Sequence, residues 1–203
     1  MKSKDVSQLS LFDIPEINTQ KSAEKWQYLI VITPSLEVKE SILSLKEKLG
    51  KEIGLAPSHL KATPHIGLIA FQKNNQVEDA FWGSITSTIF NFPKFVVSLN
   101  GLNNQLHGQR SSTLYLKIAE PQPLKELHKL LSISLNISQR NYFPHLIIAN
   151  ALSKDSLNAI QESIKNEKFE GKFKCTNLTV LERMVNLDGL SGYKIIRHIP
   201  LKG

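Results

Sequence analysis

Two histidines in a repeated setting are the side chains of this chain best suited to proton transfer. The segment TPHIGLIA (63–70) returns as FPHLIIAN (143–150), so that His65 and His145 occupy equivalent positions. A neutral imidazole accepts a proton and a charged one donates it, and a typical pKa of about 6.5 makes both forms accessible near neutral pH. The repeat therefore predicts one general acid and one general base.

Each histidine is expected near the start of a β-strand. A proline precedes each of them and an apolar run follows, and proline is tolerated at the first residue of a strand but not inside a ladder. Residues i and i+2 of a strand share a face. The two sets expected to share a face are Thr63, His65 and Gly67 in the first strand and Phe143, His145 and Ile147 in the second.

The elements around these strands follow one order twice. Apolar spacing predicts a strand from Trp26, a helix that ends at Gly54, the first histidine strand, a helix over 77–89, a strand from Lys94 and a loop over 103–109. The second round has a strand from Ser112, a helix over 124–131, the second histidine strand, a helix over 153–166 and a strand over 173–184. A last strand over 192–201 closes the chain. This order predicts a bilobed α/β or α+β domain over 25–203, with the two histidines facing each other across a central groove.

Composition sets wider bounds on the class of protein. The 203 residues are 41% hydrophobic and 21% charged, which is typical of a folded globular protein. A single cysteine, Cys175, favours a reducing compartment such as the cytoplasm, and the absence of a run of about twenty apolar residues argues against a membrane partner. The formal net charge of +7 favours anionic partners, although a lysine-rich solvated surface gives the same total.

From Trp26 to Leu201 the chain resembles the 2H phosphoesterases, which include 2′-5′ RNA ligase-like proteins and RNA 2′,3′-cyclic phosphodiesterases. The family carries a His-x-Thr or His-x-Ser motif in each lobe, and the matching segments here are PHIGL and FPHLII. The resemblance implies an α+β fold of two pseudo-symmetric lobes of mainly antiparallel sheet, with outer helices around a groove. Both histidines match, whereas Gly67 and Ile147 stand where the family has a hydroxyl.

The resemblance also implies an activity. In the family, one histidine takes a proton from water and the other protonates the departing ribose oxygen, which opens a 2′,3′-cyclic phosphate on RNA or a nucleotide without a metal or another cofactor. The reverse reaction, with a ribose hydroxyl as nucleophile, makes a 2′-5′ linkage. The family's hydroxyls stabilise the phosphoryl oxygens, and loss of one such donor typically lowers the rate about 10²- to 10³-fold.

Several residues are candidates to replace the missing hydroxyls or to bind the substrate. Thr63 shares the His65 face, and Gly67 lets a phosphate approach the backbone closely. Ile147 and its neighbour on the same face, Phe143, offer no donor. Arg110 in the predicted loop and Arg183 and Tyr193 near the end of the chain are further candidates for substrate binding.

Other interpretations of the histidine pair stay open. A single histidine beside an apolar strand is more often a packing or surface residue, but the repeat is hard to explain by packing alone. The pair is also compatible with an inactive relic that binds nucleotides or nucleic acid without turnover. The other histidines, at 59, 107, 128 and 198, carry no comparable pattern and are interpreted as solvent or packing residues.

A second motif precedes the predicted domain, in a polar tail over 1–24. The segment QLSLF, formed by Gln8, Leu9, Ser10, Leu11 and Phe12, resembles the peptide with which many bacterial DNA replication and repair proteins bind the sliding clamp. A flexible tail is able to present Leu11 and Phe12 to an apolar pocket. The alternatives are that the segment docks on the protein's own surface or matches by chance.

Overall fold

A computed structural model describes residues 25–108, 111–138, 141–186, 189–190 and 192–202. The tail, its QLSLF motif and Arg110 lie outside the described residues. The strands are β1 (Lys25–Ile32), β2 (Ile66–Lys73), β3 (Phe95–His107), β4 (Ser111–Ile118), β5 (His145–Leu152), β6 (Glu170–Cys175), β7 (Asn177–Asn186), β8 (Gly189–Leu190) and β9 (Lys194–Pro200). The helices are α1 (Leu36–Ile53), α2 (Pro57–Lys61), α3 (Asp79–Ile89), α4 (Gln122–Ser134), α5 (Lys154–Ala159) and α6 (Gln161–Asn166).

The strands form one antiparallel sheet that runs through both halves of the molecule. Its order is β6-β3-β4-β5-β2-β1-β7-β8, and β9 also pairs with β7. The two histidine strands, β2 and β5, are neighbours at the centre and share the registered pair Ile66 and Leu146. The predicted α+β fold with two lobes and outer helices is confirmed.

The lobes do not correspond to the two successive rounds of the sequence. Helix α1 follows β1 in the chain but packs near β6 and α5, in the other half of the sheet, whereas α4 packs against β2 and α3. Each half of the sheet is thus covered by a helix from the other round. This exchange buries the apolar face of each helix against strands that are distant in sequence. The two halves of the sheet therefore share their helix packing and are not independent lobes.

Three element boundaries differ from the sequence prediction. The predicted loop over 103–109 is largely strand, because β3 continues to His107 and pairs with β4 up to Ser111. The predicted strand over 173–184 is two strands, β6 and β7, which pair with different neighbours on either side of Thr176. The predicted helix over 153–166 is interrupted at Ile160, whose φ of −106° and ψ of 11° lie outside the helical range.

The alternation of faces along the histidine strands is as predicted. Ile66 and Leu146 are fully buried in the hydrophobic core, among apolar residues of the helices. The neighbouring positions His65 and His145 lie on the opposite face and are partly exposed. No helix among the described residues is long and apolar enough to cross a membrane.

A buried lysine supports the segment that leads to His65. Lys46 of α1 is 1% exposed, and its Nζ donates to the carbonyls of His59 (3.1 Å) and Ala62 (2.9 Å) at the end of α2. Positive charge is favourable at the C-terminal end of a helix, where carbonyls lack intrahelical partners. The two bonds hold the chain in place three residues before His65.

Burial lowers the pKa of the Lys46 ammonium from its usual 10.5, and this shift predicts a pH effect on stability. Between the folded-state pKa and 10.5 the unfolded chain binds more protons than the folded chain, so this group's contribution to stability rises with pH. Urea unfolding of the wild type and Lys46→Met at about pH 7 and about pH 10 isolates the effect, because other titrating groups cancel in the difference. We expect the wild type to gain stability relative to the variant at the higher pH. An equal difference at both pH values would contradict this assignment.

Candidate active site

The two histidines are held by the same backbone contact. His65 Nδ1 lies 2.9 Å from the carbonyl oxygen of Thr63, and His145 Nδ1 lies 2.7 Å from that of Phe143. In both cases the acceptor is two residues earlier and the intervening proline is buried. The repeat seen in the sequence is therefore a repeat of side-chain geometry.

This contact fixes the chemistry that each ring presents. A carbonyl oxygen only accepts hydrogen bonds, so Nδ1 carries the proton in both rings. Nε2 is then a proton acceptor in the neutral ring and a proton donor in the charged ring. Either histidine is consequently able to act as the base or as the acid, depending on its protonation state.

Strand register brings the two motifs together at the centre of the sheet. Since Ile66 lies opposite Leu146 in an antiparallel pair, His65 faces the level of Ile147, and His145 faces the level of Gly67. The histidines are thus diagonal neighbours on one face. On the far side of β5, Lys117 of β4 is registered opposite His145.

A tyrosine ties the two motifs together across this seam. The hydroxyl of Tyr142, three residues before His145, donates to the carbonyl of Gly67 at 2.8 Å. Its ring stacks on His128 of α4 with centroids 4.3 Å apart, and burial lowers the pKa of His128 and raises that of Tyr142. An un-ionised phenol that stacks on the His128 ring and donates to the Gly67 carbonyl suits a structural link between the histidine strands.

Aromatic side chains surround His145. The ring of Tyr115 meets those of Phe143 and His145 edge-on, with centroids 5.7 Å and 5.1 Å away, and Phe143 lies over His145 at 5.6 Å. Tyr115 is buried, whereas Phe143 is 54% exposed. Tyr115 and Phe143 thus both pack against the His145 ring, and Phe143 offers an exposed apolar ring beside it.

The two positions without a hydroxyl differ in their surroundings. A β-carbon added at Gly67 would meet no atom within 4 Å, so there is open space beside His65. Ile147 is 42% exposed and is registered opposite Tyr115. Both positions are therefore accessible on the histidine face of the sheet, and neither side chain provides a donor.

The candidate binding residues are at different distances from the histidines. Thr63 contributes its carbonyl to His65, and its side chain is exposed. Arg183 donates to Gln27 at 2.6 Å and lies over the ring of Tyr193 at 4.3 Å. Arg183 is registered opposite Gln27 of β1, four residues along that strand from Val31, which is opposite Gly67. Four residues span about 13 Å at the usual rise of a strand. Arg183 and Tyr193 therefore form a separate cluster on the sheet.

Sequence reasoning missed four polar residues of the central sheet face: Lys117, Thr33, Thr179 and His198. Lys117 is opposite His145, and Thr33, Thr179 and His198 are linked by hydrogen bonds on the first-lobe side. None of them belongs to a repeat, and strand pairing, not local sequence, places each of them on this face of the sheet. Among the described residues, no group of three or more His, Cys, Asp or Glu side chains is placed to hold a metal ion.

Comparison with solved structures shows the same fold. E. coli LigT complexed with 3′-AMP superposes with a TM-score of 0.61 at 16% identity, covering 89% of this chain and 100% of LigT. LigT complexed with ATP gives a TM-score of 0.58 at 16% identity, with coverage of 89% and 100%. TT0787 of Thermus thermophilus gives 0.53 at 12% identity, with coverage of 87% and 98%.

Sequence comparison identifies the family. No curated protein sequence matches the chain. The model of the 2′-5′ RNA ligase superfamily matches residues 34–186, which span both histidine motifs and most of the described sheet. The chain, with its paired Pro-His strands at the centre of a bilobed sheet, belongs to the 2′-5′ RNA ligase superfamily of 2H phosphoesterases.

Proposed function

We propose that the protein is a phosphoesterase that opens the 2′,3′-cyclic phosphate of RNA or a nucleotide by paired histidine catalysis. The observation that carries the proposal is the matched hydrogen bond from each Nδ1 to the carbonyl two residues earlier. It leaves both Nε2 atoms free for proton transfer on one face of the sheet. Packing alone gives no reason for the same contact at the two central strands.

The proposed reaction is a displacement at phosphorus. The neutral histidine takes a proton from water as the water oxygen attacks the phosphorus, and the bond from phosphorus to one ribose oxygen breaks. The charged histidine gives its proton to that oxygen. The product is a ribose phosphomonoester, and the two imidazoles have exchanged protonation states. With the 5′-hydroxyl of a second ribose in place of water, the same displacement breaks the bond from phosphorus to the 3′ oxygen, which takes the proton, and leaves a 2′-5′ linkage.

The surroundings of His145 favour a nucleotide as substrate. Phe143 offers an exposed ring for stacking with a nucleobase. Base stacking on an aromatic side chain is typically worth about 1–3 kcal/mol. The similarly folded LigT has been solved with 3′-AMP, with phosphate and with ATP. These features support a phosphorylated nucleoside at this end of the groove.

Phe143 gives this substrate assignment a test. We expect Phe143→Ala to raise KM for a cyclic-phosphate nucleotide about tenfold, with a smaller effect on kcat, because the stacking contact is present before and during the reaction. Phe90→Ala is the matched control, since Phe90 is 48% exposed but lies at the end of α3. Equal KM values for the Phe143 variant and the wild type would remove the stacking role.

The activity is tested with purified full-length protein in the presence of a metal chelator. The substrates are a 2′,3′-cyclic mononucleotide, a short RNA with a cyclic phosphate end and a 2′-5′-linked dinucleotide. We expect the cyclic phosphates to be hydrolysed to phosphomonoesters. Whether the product carries its phosphate on the 2′ or the 3′ oxygen identifies the bond that breaks. No turnover of any substrate would reject the enzymatic proposal.

A second proposal follows from the missing hydroxyls at Gly67 and Ile147. It is a catalytically impaired protein that binds nucleotides or nucleic acid in the groove and is tethered to the DNA sliding clamp through residues 8–12, the QLSLF segment. It predicts salt-sensitive binding without turnover. Deletion of 8–12 should abolish clamp binding and leave nucleotide binding unchanged, whereas undiminished clamp binding would reject the tether.

A further inference from the structure

The first lobe contains hydroxyl groups that do not belong to its histidine motif. Thr33 Oγ1 lies 3.3 Å from Thr179 Oγ1, which lies 3.3 Å from His198 Nδ1. Thr179 is 3% exposed, Thr33 is half-buried and His198 is exposed. We call these three residues the threonine row.

Strand register places the threonine row beside the first histidine. Ile32 of β1 is opposite Ile66 of β2, so Thr33, the next residue, comes to the level of His65. Val31 is opposite both Gly67 and Thr179, and Thr179 is opposite His198. The row thus crosses the sheet on the same face as His65, and neighbouring strands are about 4.8 Å apart.

One of the two possible directions of hydrogen bonding along the row suits the binding of an anion. Each threonine hydroxyl donates one hydrogen bond and accepts others. When His198 Nδ1 carries a proton, it donates to Thr179, Thr179 donates to Thr33, and the proton of Thr33 is free to point into the groove. The chain of hydrogen bonds then ends in a donor beside His65, in the half of the site where Gly67 leaves space.

We propose that Thr33 binds a phosphoryl oxygen of the substrate in place of the hydroxyl that Gly67 lacks, and that Thr179 and His198 position it. This inference rests on the proposed function, because it assigns residues to the same groove. Thr33 is the residue that touches substrate. Thr179 and His198 act through it. The second lobe has no equivalent row among the described contacts of Ile147.

The test separates a missing hydroxyl from a damaged fold. Thr33→Val keeps the shape of the side chain and removes the donor, so we expect kcat to fall about 10²-fold, as for loss of one preorganised donor. Thr33→Ser should stay within a few-fold of the wild type. Thr179→Val should lower kcat less than Thr33→Val and leave KM nearly unchanged. The double variant Thr33→Val with Gly67→Thr should have a kcat at least about tenfold higher than that of Thr33→Val alone.

Thr113→Val is the matched control, because Thr113 is a buried threonine of β4 whose hydroxyl is bonded to His107. It should turn over substrate like the wild type. Binding of adenosine 3′-phosphate provides a readout that does not need turnover, and Thr33→Val should weaken it about tenfold, since a hydrogen bond to a charged group is lost.

The outcomes distinguish this inference from the proposed function. Wild-type kcat and wild-type nucleotide binding in Thr33→Val would overturn the inference, while histidine-dependent turnover would still support the proposed function. Absence of turnover in the wild type would reject the proposed function. In that case a loss of adenosine 3′-phosphate binding in Thr33→Val, but not in Thr113→Val, would still establish the threonine row as a phosphate site.

Discussion

Alanine at His65 or at His145 should lower kcat for cyclic-phosphate hydrolysis by about 10²- to 10⁴-fold, the usual contribution of a positioned general acid or base. The double variant should be little slower than the worse single variant, because residues that act as a unit lose their joint effect when either is removed. Single-turnover rates with saturating enzyme measure this directly.

His107→Ala is the control for these variants. His107 lies at the end of β3, is exposed and has its Nε2 within 2.9 Å of the hydroxyl of Thr113. Its replacement should leave kcat unchanged. A loss of the same size in all three variants would point to a general effect on folding instead of proton transfer, and unimpaired turnover in either motif variant would contradict the paired mechanism.

Restoring a hydroxyl at the second motif should increase the rate. Ile147→Thr places a donor on the His145 face, at a position that is 42% exposed. One donor to the phosphoryl oxygens is typically worth about 10²- to 10³-fold. Because this donor is not preorganised by the surrounding side chains, we expect a smaller gain in kcat, of about 10- to 100-fold.

Ile147→Val is the matched control, since valine has the shape of threonine without its hydroxyl. It should leave kcat within a few-fold of the wild type. Gly67→Thr in the wild-type background should raise kcat less than about tenfold, because we propose that Thr33 already provides the hydroxyl in that half of the site. A large gain for Gly67→Thr and none for Ile147→Thr would reverse this assignment of the two lobes.

The repeated motif was sufficient to predict the starts of the two histidine strands. Proline followed by histidine and an apolar run predicted both strand starts, and the period of two predicted that His65 shares a face with Gly67 and His145 with Ile147. The burial of Ile66 and Leu146, which lie between them, agrees with this alternation. These features depend on local sequence. Gly54 was predicted to end the first helix for the same reason, and its left-handed backbone, with φ of 62°, confirms this.

The rest of the candidate site depends on pairing between distant segments. Thr33 and Thr179 are 146 positions apart and meet because β1 lies between β2 and β7. Lys117 is registered opposite His145 because β4 pairs with β5. No periodicity within either segment contains this information. The exchange of α1 and α4 between the halves was hidden for the same reason, since an amphipathic helix does not specify which sheet it covers.

The most direct test of the account is hydrolysis of a short RNA with a 2′,3′-cyclic phosphate end by the wild type, His65→Ala and His145→Ala in one chelated reaction buffer. We predict conversion to a phosphomonoester by the wild type and a loss of at least about 10²-fold in each variant. Hydrolysis that persists in both variants, or its absence in the wild type, would contradict catalysis by the paired histidines.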